Sequence, residues 1–592
     1  MRATALPTAC VVRPTTPPCG NSVERERATE PCLLRHRATT YGGVTALSMP
    51  NLAADRPLEP EMRRIPARSA GTAPVAPGEK IAEAVSLAWV RAGGTSSGLG
   101  LGVPRPADSR PMSISSRWRR AERNAPRIPR SGRVRRLGAT LIACTLAPAA
   151  MAQGTDAASI VRAAEARGLR IAVRAVDVDR DVEVFGHRIR ALQLPASNQK
   201  LVTAVAFLER LGPGYSFRTG FRVRDGVLEV AAGGDPNWRV LDDGQPGRID
   251  PVAAFGRIAE QLRGAGLRSL RGIRLFDGRF TGPERPEDWP RDQWSRTYCA
   301  PTAGLVLDAG CWLAEVAPGD AAAAVTVLSP PAGIGVSGRI VMTRDRRRGG
   351  TFHLELRDDG LHARGHFLGG AGARVVDGAA PEARAWFGRS LAHALALGGL
   401  PIDAEAERID VDLEDVVSGL EAPLGRALVS SSNFDAEMLG RVLGAAAVED
   451  GSFEGAVRAM RLVLDDALPQ GVPSGVEFGD GSGMSRRNRA SPAFFCDLLA
   501  HAARAPYADA FVGALPVAGE DGTLERRFSG SRVAGRVRAK TGSLSGVSTL
   551  SGYLRTEAGR LIAFSILTEW DRPVKGDSPR AVQERLVEAF DR

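Results

Sequence analysis

Lysine is nearly missing from this chain. Of 592 residues 78 are Lys or Arg, yet only Lys80, Lys200, Lys540 and Lys575 are lysine. Arginine therefore serves wherever a permanent cation suffices. A lysine that persists is a candidate for work arginine cannot do, because a guanidinium keeps its proton in a protein whereas a desolvated ammonium can lose it. Cysteine is scarce too, with only Cys299, Cys311 and Cys496 beyond residue 152. That is too few for a disulfide scaffold, and Cys10, Cys19 and Cys32 lack metal-ligand spacing. Cys299 and Cys311 either pair in an oxidising compartment or stand as separate buried thiols. No apolar run reaches the length of an integral membrane span.

Net charge is missing from most of the chain as well. The formal +11 and a pI near 9.8 first suggest a nucleic-acid or membrane partner. Residues 153–592 nevertheless hold 55 Lys+Arg against 57 Asp+Glu, so the basic excess lies entirely before Gln153. No nucleic-acid partner is expected of such a body.

Residues 1–111 are rich in Pro, Arg, Gly and Ala without helix or strand period, and are expected to be disordered or a spurious upstream extension of a frame that begins at Met112. Gly94-Thr95-Ser96-Ser97-Gly98 has nucleophile-elbow spacing but neither a strand before it nor a helix after it, so it carries no function. Residues 112–152 read as a signal-peptide region. Arg133-Val134-Arg135-Arg136 precedes the apolar stretch Leu137 to Ala150, and Ala150-Met151-Ala152 is a small-x-small cleavage site before Gln153. Export to the periplasm is expected. The rival reading takes Leu141-Ile142-Ala143-Cys144 as a lipobox with a lipid anchor on Cys144.

Beyond the signal, Leu169 to Val178 and Val182 to Phe185 read as a hairpin, followed by an apolar helix that stops at Gly212-Pro213-Gly214. Residues 217–380 change to short β-like runs with one helix, Pro251 to Leu262. Helical period returns at Pro381 to Leu397 and Asn433 to Ala447. Val537 to Leu544, Val547 to Leu554 and Leu561 to Leu567 read as strands, and Ser578-Pro579 opens a last helix. The expected division is 153–216 as the first part of one domain, 217–380 as inserted β-rich domains and 381–592 as the second part. His353, His362 and His366 lack a carboxylate at ligand spacing and read as surface or structural histidines.

Three short stretches carry chemistry. Ser197-Asn198-Gln199-Lys200 sits where an extended stretch becomes the apolar helix, which brings Lys200 one turn on over Ser197. A hydroxyl needs a base, and a partly neutral lysine can be one. Ser431-Ser432-Asn433 begins a helix and turns a hydroxyl and an amide outward together. Lys540-Thr541-Gly542-Ser543 lies on a strand, where Gly542 permits close backbone approach. Asp480 to Arg486 is a tight polar loop of the kind that lines sites. Two of the three lysines and two of the four asparagines (Asn198, Asn237, Asn433, Asn488) beyond residue 152 fall in these stretches.

In order, these stretches resemble the SxxK, SxN and KTG motifs of the low-molecular-mass class C penicillin-binding proteins, the serine D-alanyl-D-alanine carboxypeptidases/endopeptidases of the bacterial wall. The likeness extends to Gly234-Asp235-Pro236, Tyr298 to Pro301, Asp480 to Arg486, Leu515 to Gly519 and Ser551-Gly552-Tyr553, and covers Gln153 to Arg592. Ser432 where Asp is frequent, and Cys299 where a small residue is usual, depart from it. The resemblance implies an α+β fold, a penicillin-recognising antiparallel sheet flanked by helices and split by inserted β-rich domains. It implies Ser197 as nucleophile, Lys200 as base and Ser431 as proton relay, with Asn433, Lys540, Thr541, Gly542 and Ser543 binding substrate. The backbone N–H groups of Ser197 and Ser543 would form the oxyanion hole, and Lys540 would help keep Lys200 neutral by repulsion. Peptidoglycan stem peptides are the implied substrates and β-lactams the inhibitors, with no metal or organic cofactor. The alternatives are a serine β-lactamase or esterase on the same fold, or a non-catalytic wall-binding protein. The class A β-lactamase pattern Glu-x-x-x-Asn is missing, and every motif residue is present, which disfavours both. The choice between carboxypeptidase and endopeptidase, and the oligomeric state, stay open at this point.

Overall fold

The computed structural model describes residues 156–591 apart from 241–243 and 349. Residues 1–155, with the expected signal-peptide region and Cys144, lie outside the described residues.

The chain opens with α1 (Ala157–Glu165), β1 (Arg170–Asp177) and β2 (Val182–His187), the expected hairpin. Both faces of β1 are buried, with Ile171, Val173 and Ala175 in one core and Ala172 and Val176 on the opposite face. A 3-10 turn, Ala196–Asn198, then leads into α2 (Gln199–Leu211). Every residue of α2 from Gln199 to Leu208 is buried. A helix that is apolar nearly all round belongs inside the domain. It ends at Gly212, whose φ of 76° suits glycine.

An inserted region follows: β3 (Ser216–Arg224), β4 (Val227–Ala231), α3 (Pro251–Gly264), β5 (Gly272–Phe276), β6 (Cys311–Ala317), β7 (Ala324–Ser329), β8 (Val336–Thr343), β9 (Phe352–Arg357), β10 (Gly360–Leu368), β11 (Arg374–Ala379), α4 (Ala383–Leu397), β12 (Val411–Asp412) and β13 (Val416–Gly419). Strands β12-β3-β4-β5 form one sheet, with β13 also on β3. It packs with α3 and α4 around Trp238, Phe255 and Phe387, whose rings lie 5.4–5.5 Å apart. The sheets β11-β6-β7 and β8-β10-β9 share a second core containing Trp312, Ile340, Leu356 and Phe367. The insertion thus runs past the boundary expected at 380. Phe387, Leu391 and Leu395 of α4 belong to the β3–β5 core, and β12 and β13 return to β3, so the chain rejoins the central domain only after Gly419.

The rest comprises α5 (Glu421–Leu428), α6 (Asn433–Ala447), α7 (Phe453–Ala467), α8 (Pro492–Arg504), α9 (Ala508–Gly513), β14 (Val537–Leu544), β15 (Val547–Arg555), β16 (Leu561–Glu569) and α10 (Pro579–Phe590). The central sheet runs β14-β15-β16-β1-β2 and is antiparallel throughout. Core residues of α1 and α10 pack on one face, and those of α2, α6, α7 and α8 on the other. This is the expected α+β architecture. The buried Arg441 of α6 fastens the insertion to it, donating to the carbonyls of Thr302 (2.5 Å), Gly451 (2.7 Å) and Thr281 (3.1 Å). Among the described residues no helix is long and apolar enough to cross a membrane.

Candidate active site

The start of α2, the start of α6 and the edge strand β14 meet at one point, and each of the three motifs stands there. Ser197 lies in the 3-10 turn rather than in α2 itself, because Ala196 takes a left-handed φ of 46°. Ser431 also has a positive φ, 62°. Non-glycine residues held there cost of order 1–3 kcal/mol each, and such strain collects at sites.

Lys200, only 1% exposed, reaches back over one turn so that Nζ lies 3.1 Å from Ser197 Oγ. It donates as well to Asn433 Oδ1 (2.7 Å) and to the Ser482 carbonyl (2.6 Å). Burial pushes its pKa down from lysine's ordinary value to about 8, against the opposing pull of Asp480 and Glu437. Lys540, fully buried, donates to Ser431 Oγ (2.8 Å) and to the Thr541 carbonyl (2.9 Å). Its pKa falls well below the ordinary lysine range through burial first and then through the charge of Lys200. The repulsion expected between the two lysines is thus visible on Lys540, while Lys200 owes its own shift to burial.

Asn433, the first residue of α6, also donates to the Tyr298 carbonyl (2.9 Å), and Ser432 caps the helix by accepting from the Asp435 N–H (3.2 Å). Asn198 ties the first motif to the third. With its amide oriented to satisfy both ends, it donates to the Lys540 carbonyl (2.9 Å) and Thr549 Oγ1 (3.1 Å) and accepts from Ser551. Thr549 Oγ1 in turn donates to the Pro195 carbonyl (2.9 Å). Gly542 stands so close that a Cβ there would lie 3.0 Å from the Ser197 nitrogen. The space a side chain at 542 would take is filled by Thr549 Oγ1 and the nucleophile turn. Thr541 is half-buried and Ser543 exposed at the rim.

The Asp480–Arg486 loop closes the site from behind. Asp480 accepts from the N–H groups of Gly483 (2.7 Å) and Ser485 (2.6 Å), from Asn488 (2.9 Å) and from Trp289 Nε1 (3.1 Å). Gly483 has a φ of 88° and lies directly on the Ala196 carbonyl, so no side chain fits there. Three contributors escaped sequence reasoning. The carbonyls of Ser482 and Tyr298 belong to the backbone, which leaves no mark in sequence, but Glu437 was within reach, one turn beyond Asn433 on the same face of α6. Cys299, Cys311 and Cys496 all carry free thiols.

A serine and a desolvated lysine at the head of a central helix, a second serine bound to a second lysine, and an antiparallel sheet with helices on both faces define the class of penicillin-recognising serine enzymes. The chain matches the model of the D-Ala-D-Ala carboxypeptidase 3 (S13) family over residues 155–590, and it belongs to that family. It is 32% identical over 434 residues to a D-alanyl-D-alanine carboxypeptidase of Actinomadura sp. (strain R39), covering 67% of this chain and 76% of the relative. Against the D-alanyl-D-alanine carboxypeptidase DacB of Haemophilus influenzae it is 24% identical, covering 67% and 85%. The crystal structure of penicillin binding protein 4 from Haemophilus influenzae shares the fold, with a TM-score of 0.59 and 21% identity over 73% of this chain and 98% of that one. The protein is a serine-type D-Ala-D-Ala carboxypeptidase of the penicillin-binding class, a hydrolase that acts on peptidoglycan.

Proposed function

We propose that Ser197 is the acylated residue and Lys200 its base. The observation that supports this best is the Lys200 ammonium, buried and held 3.1 Å from Ser197 Oγ by two further acceptors. Ser197 Oγ attacks the carbonyl carbon between two D-alanines of a stem peptide and passes its proton to neutral Lys200. The oxyanion forms against the N–H groups of Ser197 and Ser543, where losing one donor costs about 3–4 kcal/mol. The C–N bond then breaks, and the proton reaches the leaving amine by way of Ser431. Water hydrolyses the acyl-enzyme, giving its proton to Lys200 and releasing Ser197. Asn433 fixes Lys200 and the substrate amide, while Lys540 and Thr541 take the terminal carboxylate beside Gly542. An incoming carboxylate restores to Lys540 the charge that burial disfavours. A cross-link between D-Ala and the next stem presents the same bond, so the site serves as endopeptidase as well as carboxypeptidase. Export to the periplasm with cleavage before Gln153 completes the reading. N-terminal sequencing of exported protein separates it from a lipid anchor on Cys144.

The test is incubation with a fluorescent penicillin followed by intact-mass measurement. A covalent adduct present in the native enzyme and lost in Ser197→Ala is the expected result. No adduct, or one that survives the substitution, would sink the assignment.

A second expectation concerns pH. With its pKa near 8, roughly a tenth of Lys200 is neutral at pH 7, against about one in three thousand for an exposed lysine. The neutral fraction grows as pH rises. The acylation rate should therefore climb with pH to a midpoint near 8 and level off above it, which stopped-flow labelling across pH 6–10 measures directly.

A further inference from the structure

Glu437 is a fully buried carboxylate that the proposed mechanism does not use. It sits four residues after Asn433, hence on the same face of α6. Its two oxygens accept from the N–H groups of Gly481 (3.1 Å) and Ser482 (2.8 Å). From the opposite side the same peptide is held by α2: Thr203 Oγ1 donates to the Gly481 carbonyl (2.6 Å), and Lys200 Nζ to the Ser482 carbonyl (2.6 Å). One loop peptide is thus gripped by a carboxylate on one helix and by the proposed base on another. A buried carboxylate is costly unless hydrogen bonds compensate it. Two backbone donors do so here, and each would be left unsatisfied by an apolar residue.

We propose that Glu437 is the positioning residue of the Ser197–Lys200 pair. It clamps the Gly481–Ser482 peptide so that the Ser482 carbonyl presents a fixed acceptor to Lys200. This rests on Lys200 being the base. The charged groups around the pair are Asp480 from the loop, Lys540 from β14 and Arg441 one turn further along α6. Glu437 and Asp480 both favour the protonated lysine, whereas burial favours the neutral one. Burial beside Asp480 also raises the pKa of Glu437 itself, to about 8. The carboxylate and the ammonium therefore titrate in one range and are coupled.

Glutamine offers a single acceptor oxygen to two N–H donors, so the clamp on the Gly481–Ser482 peptide loosens and the Ser482 carbonyl no longer holds Lys200 Nζ in place. In Glu437→Gln the maximal acylation rate with a fluorescent penicillin should fall by about tenfold or more. Noncovalent affinity for the penicillin should stay level. Glu437→Asp keeps both acceptor oxygens on a shorter arm, so it should recover part of the lost rate and still acylate at least about threefold slower than native. A folded Glu437→Gln enzyme that acylates at the native maximal rate, or whose noncovalent affinity falls in step with its rate, overturns the proposal. If glutamine prevents folding, aspartate decides alone, and a native maximal rate there overturns it. Failure of both variants to fold also counts against it, since the carboxylate would then serve the core and not the site. If the native enzyme shows no acid limb between pH 6 and 9, the assignment of Lys200 as base fails instead.

Discussion

Lys200→Arg leaves an enzyme that folds, keeps its charge count and does not acylate. Arginine keeps a cation at the start of α2, and the three groups that hold Nζ, namely Ser197 Oγ, Asn433 Oδ1 and the Ser482 carbonyl, are acceptors that a guanidinium can also use. What is lost is the neutral form. Burial brings the lysine to about 8, so a workable fraction is unprotonated near neutrality. No comparable burial deprotonates arginine, whose ordinary pKa lies above about 12. The first proton transfer then has no acceptor, and acylation should fall at least about a thousandfold, the upper range of general-base contributions. Fluorescent-penicillin labelling followed over hours, with a thermal melt of the same sample, checks both halves. A melt near the native one with no adduct is expected. Slow labelling within tenfold of native would show that Ser197 loses its proton elsewhere, with Ser431 the next candidate. The scarcity of lysine in a chain that otherwise uses arginine has its physical meaning at this position.

The three stretches proposed to form the site could be picked out of the sequence because each is local. Ser197 and Lys200 lie one helical turn apart, Ser431 and Asn433 flank one helix start, and Lys540 to Ser543 are consecutive on one strand. What could not be read is the partner of each acceptor across the fold. Asp480 was legible as a site loop, but its bond to Trp289 in the insertion, and the seating of Gly483 on Ala196, depend on contacts nearly 200 and 300 residues apart in the chain. The central domain was similarly legible, since β1 and β14 to β16 show clear runs with buried faces. The insertion was less so. β12 is two residues long and β13 four, too short for any period, and both are fixed by pairing with β3. Helix α4 was seen correctly as a helix and given to the wrong domain, because its pattern says that it buries a face but not against what.

The other large effect expected is at Gly542. The sequence makes this glycine permissive, and its backbone would tolerate alanine, since its φ is not among the positive ones. The obstacle is space. A Cβ at 542 would meet Thr549 Oγ1 at 2.1 Å, and the Pro195 carbonyl and the Ser197 nitrogen at 3.0 Å. The first contact is impossible without movement, and Thr549 cannot turn away freely because its hydroxyl donates to Pro195 and is bonded by Asn198. Either β14 or the nucleophile turn must shift, and both carry atoms of the proposed oxyanion hole. Overpacking of this kind costs about 1–3 kcal/mol of stability, which an enzyme of this core size survives. The catalytic loss is greater, since a misplacement of about 1 Å between reacting groups removes about a hundredfold in rate. Gly542→Ala should thus melt modestly below the native enzyme and acylate about 10²- to 10³-fold more slowly, with Lys200 still titrating near its native pH because its burial and its Asn433 and Ser482 acceptors lie on elements that stay in place. Native acylation in Gly542→Ala would mean that β14 yields at no cost, and the close approach of that strand to Ser197 would then have no part in holding the oxyanion.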